Sequence, residues 1–212
     1  MEELLERTKN LINVCWDSFS AKVGGGVIAV NKEASMQLQF AYLLKSSVDL
    51  IVHHPDEIIN IELETSIQVG GRTRECDIEI TIIKNAQKIR LPIEMKCYKT
   101  LSSSGKPRGA QDLFRYGVYE DMELIESYVG VDRVLGIQLT MTDSRNFVYP
   151  KSKEGKSWDY DISHGTQIDG GTVITTDIGG KPASATLTKS YSFNWVQQGD
   201  FYFLKLDGNT TM

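Results

Sequence analysis

RECDIEITIIKNAQKIRLPIEMKCY, residues 74–98, is the stretch that decides the fold. Apolar side chains recur at every second position in two runs, Ile78, Ile80, Ile82 and then Ile89, Leu91, Ile93, the period of a β-strand rather than a helix. Asn85-Ala86 divides the runs as a two-residue turn between strands of about Glu75 to Lys84 and Lys88 to Tyr98. With that turn Lys84 pairs with Gln87 and, counting outward, Asp77 falls opposite Glu94, where cross-strand Cβ atoms lie about 4.5 to 5.5 Å apart. Alternation puts Glu94 and Lys96 on one face and Ile93, Met95 and Cys97 on the other; Asp77 and Glu79 likewise oppose Cys76, Ile78 and Ile80. The expectation is one core face and one charged face. A slip of one residue would send the two carboxylates to opposite faces, so the register carries the reading.

Working outward, a third isoleucine-rich run from about Ile59 to Ile67 precedes the turn residues Gly70 and Gly71, which makes an antiparallel meander of three strands. Before it, residues 2–20 have helical apolar spacing at Leu4, Leu11, Ile12, Cys15, Trp16 and Phe19, and a second helix is expected from about Glu33 to Ser47 with Asn31 as its N-cap. Glu33 and Gln37 share a face of that helix. After the meander come a helix from about Ala110 to Tyr128 and a strand from Val134 to Met141. Beyond Pro150 the texture turns to Gly, Ser, Thr and aromatic residues, with a hairpin expected between Ser190–Trp195 and Phe201–Leu206. This divides the chain into a core over 1–149 and a β-rich C-terminal extension over 150–212 packed on the same domain.

The 212 residues suffice for one substantial core, and 41% hydrophobic with 24% charged residues is ordinary globular composition. No apolar run approaches the roughly 20 residues that span a bilayer, and MEELLERTKN is too charged for a signal peptide, so a cytoplasmic protein is expected. Cys15, Cys76 and Cys97 have no CxxC spacing and read as buried free thiols. The net charge of −5 argues against a molecule coated with positive charge, so any affinity for nucleic acid would come from a local basic track.

Two facing carboxylates repel unless a proton or a cation separates them, and one or two carboxylates completed by water is the ligand set that Mg²⁺ favours. A lysine two residues past Glu94 can orient or help deprotonate an attacking water, or stabilise charge on a phosphate. These parts suit phosphodiester hydrolysis. The plain alternative is a solvated strand face carrying surface ion pairs of little worth.

The motif Asp77, then Glu94-Met95-Lys96, resembles that of the PD-(D/E)XK nuclease superfamily, and the likeness extends over about residues 31–141 through the order helix, three strands, helix, strand. The resemblance implies an α/β mixed sheet with a restriction-endonuclease-like αβββαβ core, Asp77 and Glu94 as ligands of Mg²⁺ (or Mn²⁺ in its place), and Lys96 assisting the water. It further implies an acidic residue on the first core helix, here Glu33, and a polar residue on the helix after the third strand, here Gln111. Two departures stand out: Cys76 replaces the motif's proline, and Gln111 to Tyr116 is one residue longer than the spacing of the exonuclease branch.

Glu62 and Glu64 share a face of the first strand and are further candidates for the metal site or its water shell. Lys99, Lys106, Arg108 and Arg115 follow the third strand as candidate phosphate contacts, which would position a duplex without reading its sequence. The expected activity is a metal-dependent endonuclease acting on DNA, of the restriction or defence kind, with RNA left open as substrate and a homodimer expected if both strands are cut. The alternative is a nuclease-fold protein that binds nucleic acid or scaffolds without catalysis.

Overall fold

The computed structural model describes residues 1–102 and 104–208, so the last four residues of the expected extension lie outside it. Helices α1 (Glu2–Gly24) and α2 (Glu33–Ser47) come first, then strands β1 (Glu57–Val69), β2 (Arg72–Lys84) and β3 (Gln87–Tyr98). Helix α3 (Gln111–Ser127) leads to β4 (Ile137–Thr142) and a short α4 (Arg145–Val148). Strands β5 (Gln167–Ile168), β6 (Thr172–Ile174), β7 (Ala185–Leu187), β8 (Tyr191–Ser192), β9 (Val196–Gln198) and β10 (Phe201–Leu206) complete the chain. The result is a mixed α/β protein on a six-stranded mixed sheet in the order β1-β2-β3-β4-β10-β9.

β1, β2 and β3 form the antiparallel meander, and the β2–β3 register runs from Lys84–Gln87 to Ile78–Ile93, as the two-residue turn requires. Asn85 and Ala86 both have positive φ, 50° and 62°, which matches the turn to the strand twist. β3 pairs with β4 in parallel, and α3 is the crossover that a parallel pair needs. The N-cap of α2 is Lys32 rather than Asn31, and the Ser35 hydroxyl, one turn in, reaches back to accept from the backbone N–H groups of both residues.

Two cores flank the sheet. On one face α1 and α2 bring Ile12, Phe19, Phe40 and Leu44 onto Ile78, Ile80, Ile93, Met95, Leu139 and Met141. On the other, α3 and the extension pack Phe114, Val118, Tyr119 and Met122 with Tyr98, Phe193, Trp195 and Leu204. The expected charged face is therefore not a solvated one: α3 covers it, because Glu94 and Lys96 share their side of β3 with Tyr98 and with a second apolar cluster.

The extension contributes to the sheet itself. β10 runs antiparallel to β4, with Phe203 opposite Met141, and β9 pairs with β10 across the Gly199-Asp200 turn. The hairpin partner of β10 is thus Val196–Gln198, while Tyr191–Ser192 pairs instead with Gln167–Ile168. Glu126 near the end of α3 accepts from the N–H groups of Thr188 (2.6 Å) and Lys189 (3.0 Å) and from the Tyr191 hydroxyl (2.9 Å), tying the extension to the crossover helix. Among the described residues no helix is long and apolar enough to cross a membrane.

Candidate active site

Asp77 stands at a break in the sheet. The β1–β2 ladder steps from Leu63–Ile78 to Thr65–Cys76, skipping Glu64–Asp77, and Glu64 has a φ of 53°. The β2–β3 ladder likewise ends at Ile78–Ile93, one step short of Asp77 and Glu94. Where a ladder bond would have formed, the Asp77 carboxylate instead accepts the backbone N–H of Met95 at 2.6 Å. The break also corrects the expected sidedness of Cys76. Ile78 is buried beneath α1 and α2, whereas Cys76 packs with Ile67 and Tyr128 in a separate small cluster, so the strand buries its apolar side chains in different cores on either side of Asp77.

Helix α2 braces this break through the face that carries Glu33 and Gln37. The Gln37 amide donates to the Asp77 carbonyl (2.6 Å) and to the Glu64 carboxylate (2.9 Å), and the Glu33 carboxylate accepts the Cys97 N–H at 3.1 Å. Glu33 and Glu64 are close enough to Asp77 to act on its charge. Glu62, by contrast, is exposed and faces Glu79 across the β1–β2 ladder.

Glu94 and Lys96 lie under α3. The Tyr128 hydroxyl donates to Glu94 at 2.7 Å, and the Lys96 ammonium pairs with Asp121 at 3.2 Å. The neighbouring strand β4 sets Gln138 beside Glu94 and Thr140 beside Lys96, all polar and, apart from Lys96, fully or almost fully buried. Asp121, Tyr128, Gln138 and Thr140 were not singled out by sequence reasoning. Two signals were available: Asp121 falls within the apolar stripe Phe114, Val118, Ile125 of α3, and β4 alternates Ile137, Leu139, Met141 with three polar residues inside an otherwise apolar run.

Burial and crowding of like charges set the protonation of this group. Burial first, then Asp121 and Asp77, push the Glu94 carboxyl up to about 9, against the opposing Tyr128 bond and Lys96. Burial pushes Asp121 to about 8 in spite of Lys96, and burial with help from Glu33 and Glu64 takes Asp77 to about 6. Burial lowers the Lys96 pKa, but Asp121, Glu33 and Asp77 outweigh it and the net shift is upward. The two ends of the Lys96–Asp121 pair thus pull differently, one favouring the charged pair and the other opposing it. Lys96 is one-quarter exposed and faces several carboxylates, whereas Asp121 is almost wholly buried with one cation. The ammonium is therefore the settled charge, and the acids are the groups that take up protons.

The donor set suits a hard divalent cation. The charge of Asp77 is one of the causes that hold the Glu94 carboxyl in its protonated form, and a cation between the two would relieve it. Asp121 Oδ2 and Gln138 Oε1 are buried without a hydrogen-bond partner, as expected of a polar pocket that receives something more. Among the described residues no three His, Cys, Asp or Glu side chains are grouped to hold a metal by themselves, so Asp77 and Glu94 would need water or phosphate oxygens to complete a shell.

The remaining candidates are dispersed. Gln111 begins α3, ten residues and therefore about 15 Å of helix from Asp121. It lies beside Tyr98, at a shallow cavity shared with Arg115, Asn146 and Trp158. Arg115 is buried; its guanidinium stacks 4.3 Å from the Trp158 ring centroid and donates to the Ser157 carbonyl. Lys99, Lys106 and Arg108 occupy the segment that leaves β3 just beyond Lys96, with Lys106 exposed and Lys99 seated 5.2 Å from the Phe201 ring centroid.

No family model matches the chain, and comparison with curated proteins and with solved structures returned no match.

Proposed function

We propose that this protein is a divalent-metal-dependent nuclease of the PD-(D/E)XK type, with the helix, three strands, helix, strand segment from α2 to β4 as a restriction-endonuclease-like core and DNA as the substrate. The observation that carries the reading is the convergence at the Asp77 break. One carboxylate bridges from β2 to the Met95 N–H, while Glu94 and Lys96, the residues on either side of Met95, enter a buried polar pocket. A solvated strand face would not bury Glu94 or spend a helix residue on Lys96.

Asp77 and Glu94 are the residues that would hold the cation, which when bound supplies charge neutralisation at phosphorus and a more acidic water. The Lys96 ammonium, kept charged by its acidic neighbours, offsets negative charge that builds on the phosphate and orients the attacking water. Glu33 and Gln37 hold the break in shape from α2. The reaction forms one P–O bond from water, breaks one P–O bond to the sugar oxygen, and passes the water proton to the surroundings as the leaving oxygen gains one. Lys99, Lys106 and Arg108, on the segment that follows β3, would meet phosphates flanking the scissile one.

The test is incubation of the purified protein with supercoiled plasmid, single-stranded DNA and RNA, each with Mg²⁺, with Mn²⁺ and with chelator. Cutting that requires metal supports the proposal, and the preferred polymer names the substrate. A second reading, a nucleic-acid-binding protein without catalysis, draws on the engagement of both carboxylates by protein donors, Met95 N–H and Tyr128 hydroxyl. Binding of the polymer with no metal-dependent cutting would favour it.

A further inference from the structure

Helix α3 places one acidic residue where an apolar one would stabilise more. Phe114, Val118 and Ile125 are buried along one stripe of the helix, and Asp121 occupies the position between them at 4% exposure. Burying a carboxylate in such a position is unfavourable before any pairing, so its presence calls for a reason. One oxygen meets the Lys96 ammonium at 3.2 Å; the other, Oδ2, is buried with no partner.

One turn earlier on the same helix face is Gly117, and a Cβ there would lie 3.5 Å from Cε of Lys96. The lysine stem therefore crosses α3 over the one residue with no side chain, and the ammonium reaches Asp121 at the end of that path. A lysine side chain left free would sample many rotamers and would have to be ordered at each turnover. Gly117 and Asp121 together restrict that freedom in advance, through a channel for the stem and an oxygen that receives the head at 3.2 Å.

We propose that Asp121 is a positioning residue of the nuclease site, which holds the Lys96 ammonium beside Asp77 and Glu94 ready for the phosphate. The inference rests on the nuclease reading. Asp121 touches neither substrate nor water in this role; it acts through Lys96, and Gly117 is the second half of the same device.

The experiment measures two things on wild type and Asp121→Asn: kcat and KM for metal-dependent plasmid cutting, and the rate at which Lys96 is acylated by an amine reagent in metal-free, DNA-free protein, read by mass spectrometry. The expected result is a kcat lowered roughly 10- to 100-fold, the range for partners that orient a reacting group, with KM unchanged and Lys96 acylated several-fold faster. A merely structural aspartate would leave the acylation rate unmoved. Should Asp121→Asn not fold, Gly117→Leu puts bulk across the lysine stem with Asp121 intact, and the same loss of kcat is expected. Wild-type kcat in the variant that folds, or an unchanged acylation rate, overturns the inference while the nuclease reading stands. A wild type that cuts none of the polymers under any metal removes the nuclease reading and this one with it.

Discussion

The two faces of β3 are built by opposite rules from alternate residues of one strand. Ile93, Met95 and Cys97 enter a core under α1 and α2 in which almost every contact is apolar, and such a face is held by area removed from water, about 25 cal/mol per Å². Glu94 and Lys96 enter a pocket under α3 lined by Asp121, Tyr128, Gln138 and Thr140, where burial works against the charged groups and leaves buried acceptors without partners. The first face is arranged for stability and the second departs from it at each polar position. That asymmetry is what a reactive site on a rigid sheet requires, since strained charges need a frame that does not yield.

Variants that strip one face at a time sharpen this contrast. The largest loss of stability is expected from Ile93→Ala, about 2 to 5 kcal/mol for a truncated core residue, read as a lowered urea midpoint with the metal-dependent cutting rate retained wherever the protein is folded. The polar face has the opposite dependence on acid. Glu94, Asp121 and Asp77 hold protons in the folded chain up to about pH 9, 8 and 6, whereas in the unfolded chain they release them near 4. Protons therefore favour the folded state, and metal-free stability falls as pH rises from about 4 towards 9, by at most about 1.4 kcal/mol per pH unit for each group. Glu94→Gln keeps an acceptor for Tyr128 and removes the highest of these steps, so thermal melts of the variant should level off above about pH 8 where the wild type continues to fall; parallel curves would contradict the assignment of burial to Glu94.

Smaller still is Tyr128→Phe. It withdraws one hydroxyl from a buried carboxylate, and a loss of about 1 kcal/mol in denaturant melts is expected. Smallest is Glu62→Ala on the exposed side of β1, with stability within about 0.5 kcal/mol and unchanged cutting. A large effect of Glu62→Ala on cutting would move the boundary of the site outward along β1.

Local patterns made much of this architecture legible. The Asn85-Ala86 turn sets the β2–β3 register because a two-residue loop leaves no slack, and strict alternation of isoleucines names the core face. The helical face shared by Glu33 and Gln37 follows from spacing alone. Contacts made across long stretches of chain were not legible. Nothing near Phe201 says that β10 will pair with β4, and nothing near Asp77 says that one of its ladders will skip it and the other end just before it. The sidedness of Cys76 differs for that reason: alternation carries across a strand only while the ladder is regular, and the skipped Glu64–Asp77 pair interrupts it. That α3 covers Glu94 and Lys96 was likewise not legible, because the packing of a helix on a strand face is a contact between distant stretches of chain. Asp121 in the α3 stripe was the visible sign that this face met another polar group.

The most direct test of the central claim sets wild type beside Lys96→Ala on supercoiled plasmid with Mg²⁺ and with Mn²⁺, both proteins first shown to be folded by the same thermal melt. Metal-dependent cutting by the wild type is expected, with a rate lower by about 10²- to 10³-fold in the variant, the scale of one charge-stabilising group in a buried site. Equal cutting by the two proteins would place the chemistry elsewhere on the molecule, and no cutting by either would contradict the nuclease reading itself.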